Sequence, residues 1–166
     1  MESTVVDNLL RLVAVIMLVF VNGFFVAAEF ALVSVRGTRI RELVAQGNSA
    51  AKWAAKALEH PDQVIAATQL GITLASLGLG WIGEPALSHL LEPLINMLPV
   101  NFQDGASHSI SVGVAFATIT FLHVVVGELM PKSIALQNPE ATSLVVARPT
   151  LWTEWIFKPF IWALNG

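Results

Sequence analysis

The sequence predicts an all-α membrane protein: three transmembrane helices, a helical loop on the cytoplasmic side and a C-terminal juxtamembrane helix lying at the interface. Three observations carry this. The 166 residues are 55% hydrophobic and only 13% charged, with a mean hydropathy of +0.68, about half the charged share of a soluble domain. Three apolar runs approach or exceed the roughly 20 residues needed to cross a bilayer as a helix. Basic residues are spread unevenly over the segments between those runs. The length suits one domain, 1–166. Without cysteine there is neither a disulfide nor a thiolate metal site. There is no basic stripe, so no nucleic-acid partner is expected.

The first span is read as 12–35, between Arg11 and Arg36, with Glu29 its single charge. It exceeds the apolar core of a secretory signal and lacks a small-residue cleavage site. The second is 64–82, uncharged and followed by Glu84. The third is 109–127, also uncharged, ending at Glu128. Between spans one and two lie Arg36, Arg39, Arg41, Lys52 and Lys56; between two and three lie only acidic charges, Glu84, Glu92 and Asp104. The positive-inside rule then puts the first loop in the cytoplasm and the N-terminus and second loop outside. Lys132, Arg148 and Lys158, and with them the C-terminus, fall on the cytoplasmic side. The first loop reads as an amphipathic helix over 38–58. The second, with Pro85, Pro93 and Pro99, reads as short helical turns. A fourth apolar stretch, 144–164, contains Arg148, Glu154, Lys158, two prolines and Trp152, Trp155 and Trp162. It reads as a helix at headgroup depth, a kinked fourth span being the alternative.

Carboxylates within or at the edge of a span face a bundle interior or an aqueous cavity. Glu128 is one, in "HVVVGELMPKSIAL" from His123. Pro131 has no amide to donate, so carbonyls near Val126 and Gly127 lose partners, and Gly127 admits close backbone approach. Carbonyls beside a carboxylate make a hard-oxygen site. The plainer alternative is a boundary residue reaching for water, paired with Lys132. Span two carries a polar stripe on one face, Gln69, Thr73, Ser76 and Gly80; packing between helices explains such a stripe equally well. Span one offers Asn22, with Val26 and Glu29 on the same face. Asn22 and Glu29 are two turns apart, about 10 Å, and do not share one ion. Glu29 and Gln69 are left as candidates for an ion pathway. His123, five residues before Glu128, points well away from it in a regular helix and reads as structural. No zinc-protease, serine-hydrolase or phosphate-loop pattern occurs, so the chain is not expected to be an enzyme.

"NGFFVAAEFALVSVR" from Asn22, "TQLGITLASLGLGWIGEP" from Thr68 and "HVVVGELMPKSIAL" from His123 stand in order and at matching separations. In these the chain resembles the transmembrane domain of the CorC/CNNM magnesium transporter family, also described as haemolysin-like, over nearly its whole length. The resemblance implies a three-span homodimer in the cell membrane, associated with cytoplasmic CBS domains in the full-length protein. It implies sodium-linked Mg²⁺ efflux, with Mg²⁺ the bound ion and Na⁺ the coupling ion. Carried over residue by residue, the ion site is Glu128, the Gly127 carbonyl, Asn22 and Ser76, with Thr73 a further candidate and Pro131 the kink that shapes it. Val26 and Ile72 depart from the family pattern, where many relatives carry Ser and some Asn, and remove two oxygens. Small residues of spans two and three, Gly71, Ala75, Gly78, Gly113 and Ala117, are the expected dimer face. The alternative function is a membrane anchor that senses Mg²⁺ and signals to cytoplasmic domains without transporting it.

Overall fold

The computed structural model describes residues 2–95 and 104–165, apart from some side chains near the ends of those stretches. Every regular element among them is helical. In chain order they are α1 (Glu2–Ser34), α2 (Gly37–Ala45), α3 (Ser49–Ala57), α4 (Pro61–Ile95), α5 (Asp104–Leu122), a π-helical segment (His123–Leu129), α6 (Met130–Gln137) and α7 (Pro139–Asn165). Three stretches are long and apolar enough to cross a membrane: Leu9–Ser34, Pro61–Leu87 and Val112–Gln137. The chain is a multi-pass membrane domain with three spans, each longer than the charge-to-charge reading gave.

The loop between spans one and two is two helices rather than one. Gly47, at φ +86°, turns the chain. The Gly47 amide donates to Val44 O and the Asn48 amide to Leu43 O, each at 3.0 Å, closing α2 in a Schellman motif. The Asn48 side chain then accepts from the amides of Ala50 and Ala51 and starts α3. Pro61 opens α4 where a helix has no use for the missing amide.

The second loop also differs. Pro85 and Pro93 do not end α4, which runs on to Ile95; Pro99 lies outside the described residues. Pro85 lies within the candidate span Pro61–Leu87, where a chain keeps its backbone bonds internal and a helix tolerates the loss of one amide; Pro93 lies beyond it in the same helix.

Two clusters hold the bundle. The larger joins α1, α2, α3, α4, α6 and α7 through Ala28, Ala31, Leu32, Ile40, Ala51, Ala54, Val64, Ala135 and Ala147. Alanines predominate, so the backbones approach closely, the usual way helices associate in lipid. The smaller cluster packs α1, α4 and α5 through Val15, Val19, Leu79, Ala86 and Ile119. α7 is not among the candidate spans. Its buried face is Ser143, Val146, Ala147 and Thr150, at helical spacing, while Val145, Trp152, Trp155 and Ile156 are exposed opposite. That amphipathic pattern suits a helix lying in the interface. The Trp162 side chain is outside the described set. Arg148 lies over two indoles, Trp152 at 4.9 Å and Trp53 of α3 at 5.6 Å, which ties α7 to the loop.

Glycines expected to face a second copy are used within the chain. A Cβ on Gly71 would fall 2.6 Å from the Phe25 ring, and one on Gly78 would touch Leu18 at 3.4 Å. Ala75 is buried as well. Only Gly113 and Ala117 of that set remain exposed.

Candidate functional site: a polar cluster at mid-span

The third span does not break at Pro131. It continues as α6, and the disruption is absorbed one turn earlier by the π segment. The Met130 amide donates to Val125 O, five residues back. Residue 131 has no amide to offer Gly127 O, the partner four residues back in an α-helix. That carbonyl instead accepts from Asn22 Nδ2 at 3.0 Å. Asn22 is completely buried, and a buried amide is costly unless it is hydrogen-bonded. Its other end is also engaged: Oδ1 accepts from Ser76 Oγ at 3.4 Å.

Glycine is required twice here because helices meet closely. A Cβ on Gly127 would lie 3.1 Å from His123 Cδ2 and 3.2 Å from Asn22 Nδ2. One on Gly23 would lie 3.0 Å from Pro131 Cγ, so the proline ring seats directly on α1.

The π segment also changes which side chains meet. At 100° per residue, positions five apart in an α-helix diverge by about 140°. With five-residue bonds they share a face. His123 Nε2 therefore lies 3.6 Å from Glu128 Oε1 and 3.2 Å from Ser76 Oγ. The expectation that His123 points away from Glu128 is wrong, because the local repeat is not α. Lys132 does not pair with Glu128 either; its Nζ sits over the Phe30 ring at 4.5 Å.

About 14 Å of helix separates Glu128 from Gln137 at the end of its candidate span, so the helix runs well past this carboxylate. Asn22 and Ser76 are likewise near the middle of Leu9–Ser34 and Pro61–Leu87. The Glu128 side chain is 45% exposed in the single chain, so one side of the cluster is open. Three of the expected residues touch, Asn22, Ser76 and Gly127, and Glu128 joins them through His123. Others stay apart. Thr73 is exposed and its hydroxyl donates to Gln69 O at 2.8 Å, within its own helix. Gln69 is exposed too. Glu29 lines a separate small cleft with Leu32, Leu58, Pro61 and Val64. Val26 is buried and adds no oxygen. Among the described residues no three His, Cys, Asp or Glu side chains gather as a metal cluster. Beside Ser76 and His123 a cavity of about 290 Å³ opens, lined also by Leu79, Gly80, Phe116, Ile119 and Thr120.

The sequence reading missed His123. A usable signal was present: a proline four residues after a glycine removes the partner of that glycine's carbonyl, one condition under which a helix widens.

The chain is similar to the UPF0053 protein YhdP of Bacillus subtilis, 48% identical over 159 residues, which is 96% of this chain and 35% of that protein. It is similar to YugS of the same organism at 45% over 158 residues, 95% of this chain and 36% of the relative. The polyamine export protein of Haemophilus influenzae is 27% identical over 151 residues, 91% of this chain and 34% of that protein. The chain thus spans about a third of the length of these curated relatives. The family model of the Cyclin M transmembrane N-terminal domain (CNNM) matches residues 12–166, which takes in all three spans and every residue of the cluster: the chain belongs to the CNNM transmembrane-domain family.

Proposed function

We propose that this domain carries Mg²⁺ across the membrane, holding it at the mid-span cluster of Asn22, Ser76, Gly127 and Glu128. The observation that supports the reading most is the π segment. It lays His123 against the Glu128 carboxylate at 3.6 Å and against the Ser76 hydroxyl at 3.2 Å, and Ser76 continues to the Asn22 amide and the Gly127 carbonyl, so polar groups of three spans form one linked cluster. Hard oxygen donors of this kind suit Mg²⁺, which also retains water ligands readily. One carboxylate among neutral groups binds without trapping, as transport demands. With the basic first loop in the cytoplasm, the open side of Glu128 loads from inside, and export is driven by Na⁺ entry. A homodimer meeting through the exposed Gly113 and Ala117 face of α5 would enlarge the bundle, and CBS domains beyond this segment would regulate it.

Mg²⁺ flux from liposomes, with and without an opposing Na⁺ gradient, tests the proposal. Gradient-dependent flux is expected. Mg²⁺ binding without flux would instead support a sensing anchor.

A second reading, transport of an organic polycation, is favoured by two observations: the name of the Haemophilus relative, and the partly apolar cavity beside His123 with Phe116 in its wall. Spermidine that displaces Mg²⁺ and is itself moved would favour that reading.

A further inference from the structure

We propose that a cavity between the first-loop ends of spans one and three binds a zwitterionic phospholipid headgroup, phosphatidylethanolamine, with its phosphate on Arg36 and its ammonium on Glu42 and Glu140. The cavity holds about 550 Å³, within the usual range for small-molecule sites. Its walls come from the turn between α1 and α2 (Ser34, Arg36, Thr38), from α2 itself (Arg39, Glu42) and from the start of α7 (Glu140). It shares no residue with the mid-span cluster.

Charge is divided across this cavity. Arg39 Nε donates to Glu140 Oε2 at 3.0 Å, and Arg39 Nη1 donates to Glu42 Oε2 at 3.1 Å. One guanidinium between two carboxylates leaves that wall with a net negative charge. The three side chains are 42% to 61% exposed, and exposed pairs contribute little to stability, so holding the fold together does not account for their shared geometry. Arg36 stands apart from them. Its guanidinium and the Ser34 and Thr38 hydroxyls have no partner among the described residues. A planar guanidinium matches phosphate oxygens in pairs, and hydroxyls can donate to the oxygens that remain. The carboxylate wall accepts from a cation that carries N–H groups.

Depth selects a lipid. Ser34 is the last residue of the first candidate span and Gln137 the last of the third, so the cavity lies where the apolar stretches of both spans end. α7 starts from the same place and exposes Trp152 and Trp155, the pattern of a helix at headgroup level. Headgroup chemistry then selects among lipids. Phosphatidylglycerol brings a phosphate but no cation for the wall of Glu42 and Glu140. Phosphatidylcholine brings a cation without an N–H donor. Phosphatidylethanolamine brings the phosphate together with an ammonium, which donates three hydrogen bonds.

Native mass spectrometry of the purified protein, titrated with each of the three lipids carrying identical acyl chains, tests this. The parent should hold phosphatidylethanolamine about tenfold more tightly than either other lipid, the scale of one charge-assisted hydrogen bond. Arg36→Gln should weaken retention of all three, because each presents the same phosphate. Glu42→Gln leaves the opposite wall neutral and should remove the preference for phosphatidylethanolamine without loss of phosphatidylcholine. Arg36 and Glu42 are both exposed, so both variants should fold as the parent does. Glycerophosphoethanolamine, the same headgroup without acyl chains, should compete only at far higher concentration. Equal retention of the three lipids by the parent, or undiminished retention by Arg36→Gln, would overturn the inference. Competition by glycerophosphoethanolamine at the concentration of the lipid would make the cavity a site for a soluble zwitterion and overturn the lipid assignment.

Discussion

The bond between Asn22 and Gly127 should be exchangeable for the one that Pro131 forbids. In Asn22→Ala, Gly127 O loses its 3.0 Å donor at a buried position, with no amide four residues on to replace it. Leaving a buried acceptor unsatisfied costs about 1–3 kcal/mol, and the truncated side chain was itself wholly buried. Pro131→Ala restores the amide that reaches Gly127 O in an α-helix, at the expense of the ring packed on Gly23. Combined, the two substitutions should be less destabilising than their sum by about 1 kcal/mol, the net worth of one hydrogen bond. Unfolding of the purified domain in a fixed detergent, followed by tryptophan fluorescence for all four proteins, measures this. Additivity within about 0.5 kcal/mol, the usual result for independent sites, would refute the idea that Asn22 stands in for a lost backbone bond.

Other expectations follow from packing and charge. Gly71→Ala forces a methyl to within 2.6 Å of the Phe25 ring and should destabilise by about 1–3 kcal/mol through overpacking; Gly80→Ala, in open space, should be neutral or stabilise by up to about 1 kcal/mol through helix propensity, and thermal melts of the pair check the contrast. Arg148→Gln removes a cation from two indole faces and should cost about 0.5–1 kcal/mol for each, with a change in emission that is absent when Trp53 and Trp152 are already replaced by Phe. A single cysteine beside Asp104 should react with an impermeant thiol reagent added outside cells; reaction only after the cytoplasmic face is opened would invert the topology.

The fold was legible where physics is coarse. Three runs of apolar residues and a basic first loop are enough to specify three spans and propose their direction. Span ends were less legible, because a charge need not end a helix. The third candidate span runs on past Glu128 and Lys132 to Gln137, with the Lys132 ammonium over the Phe30 ring, whereas the charge-to-charge reading stopped at Gly127. Pro85 misled because helices in apolar surroundings survive a missing amide, and the same helix carries on through Pro93 beyond the candidate span.

The site was legible only in part. Asn22, Ser76, Gly127 and Glu128 were named through family resemblance, and geometry brings them together. Thr73 was named on the strength of sharing a stripe with Ser76, but an exposed hydroxyl on a helix can donate to its own backbone, as this one does. His123 was set aside because the α repeat puts residues five apart on different faces. Periodicity cannot reveal the one turn at which the repeat changes.

The central claim is that Glu128 supplies the charge that holds the cation at mid-span. Mg²⁺-dependent thermal stabilisation of the purified protein, compared with Glu128→Gln, tests it most directly. The substitution preserves shape and one oxygen and deletes only the charge. A ligand that binds the folded state alone stabilises it in proportion to its occupancy, by about 2.7 kcal/mol at a hundredfold excess over Kd. The account predicts that Glu128→Gln, folded as the parent in the absence of Mg²⁺, loses this stabilisation or needs far more Mg²⁺ to show it, with Ser76→Ala weakened less and Glu29→Gln least. A Glu128→Gln protein stabilised by the same Mg²⁺ concentrations as the parent would contradict it.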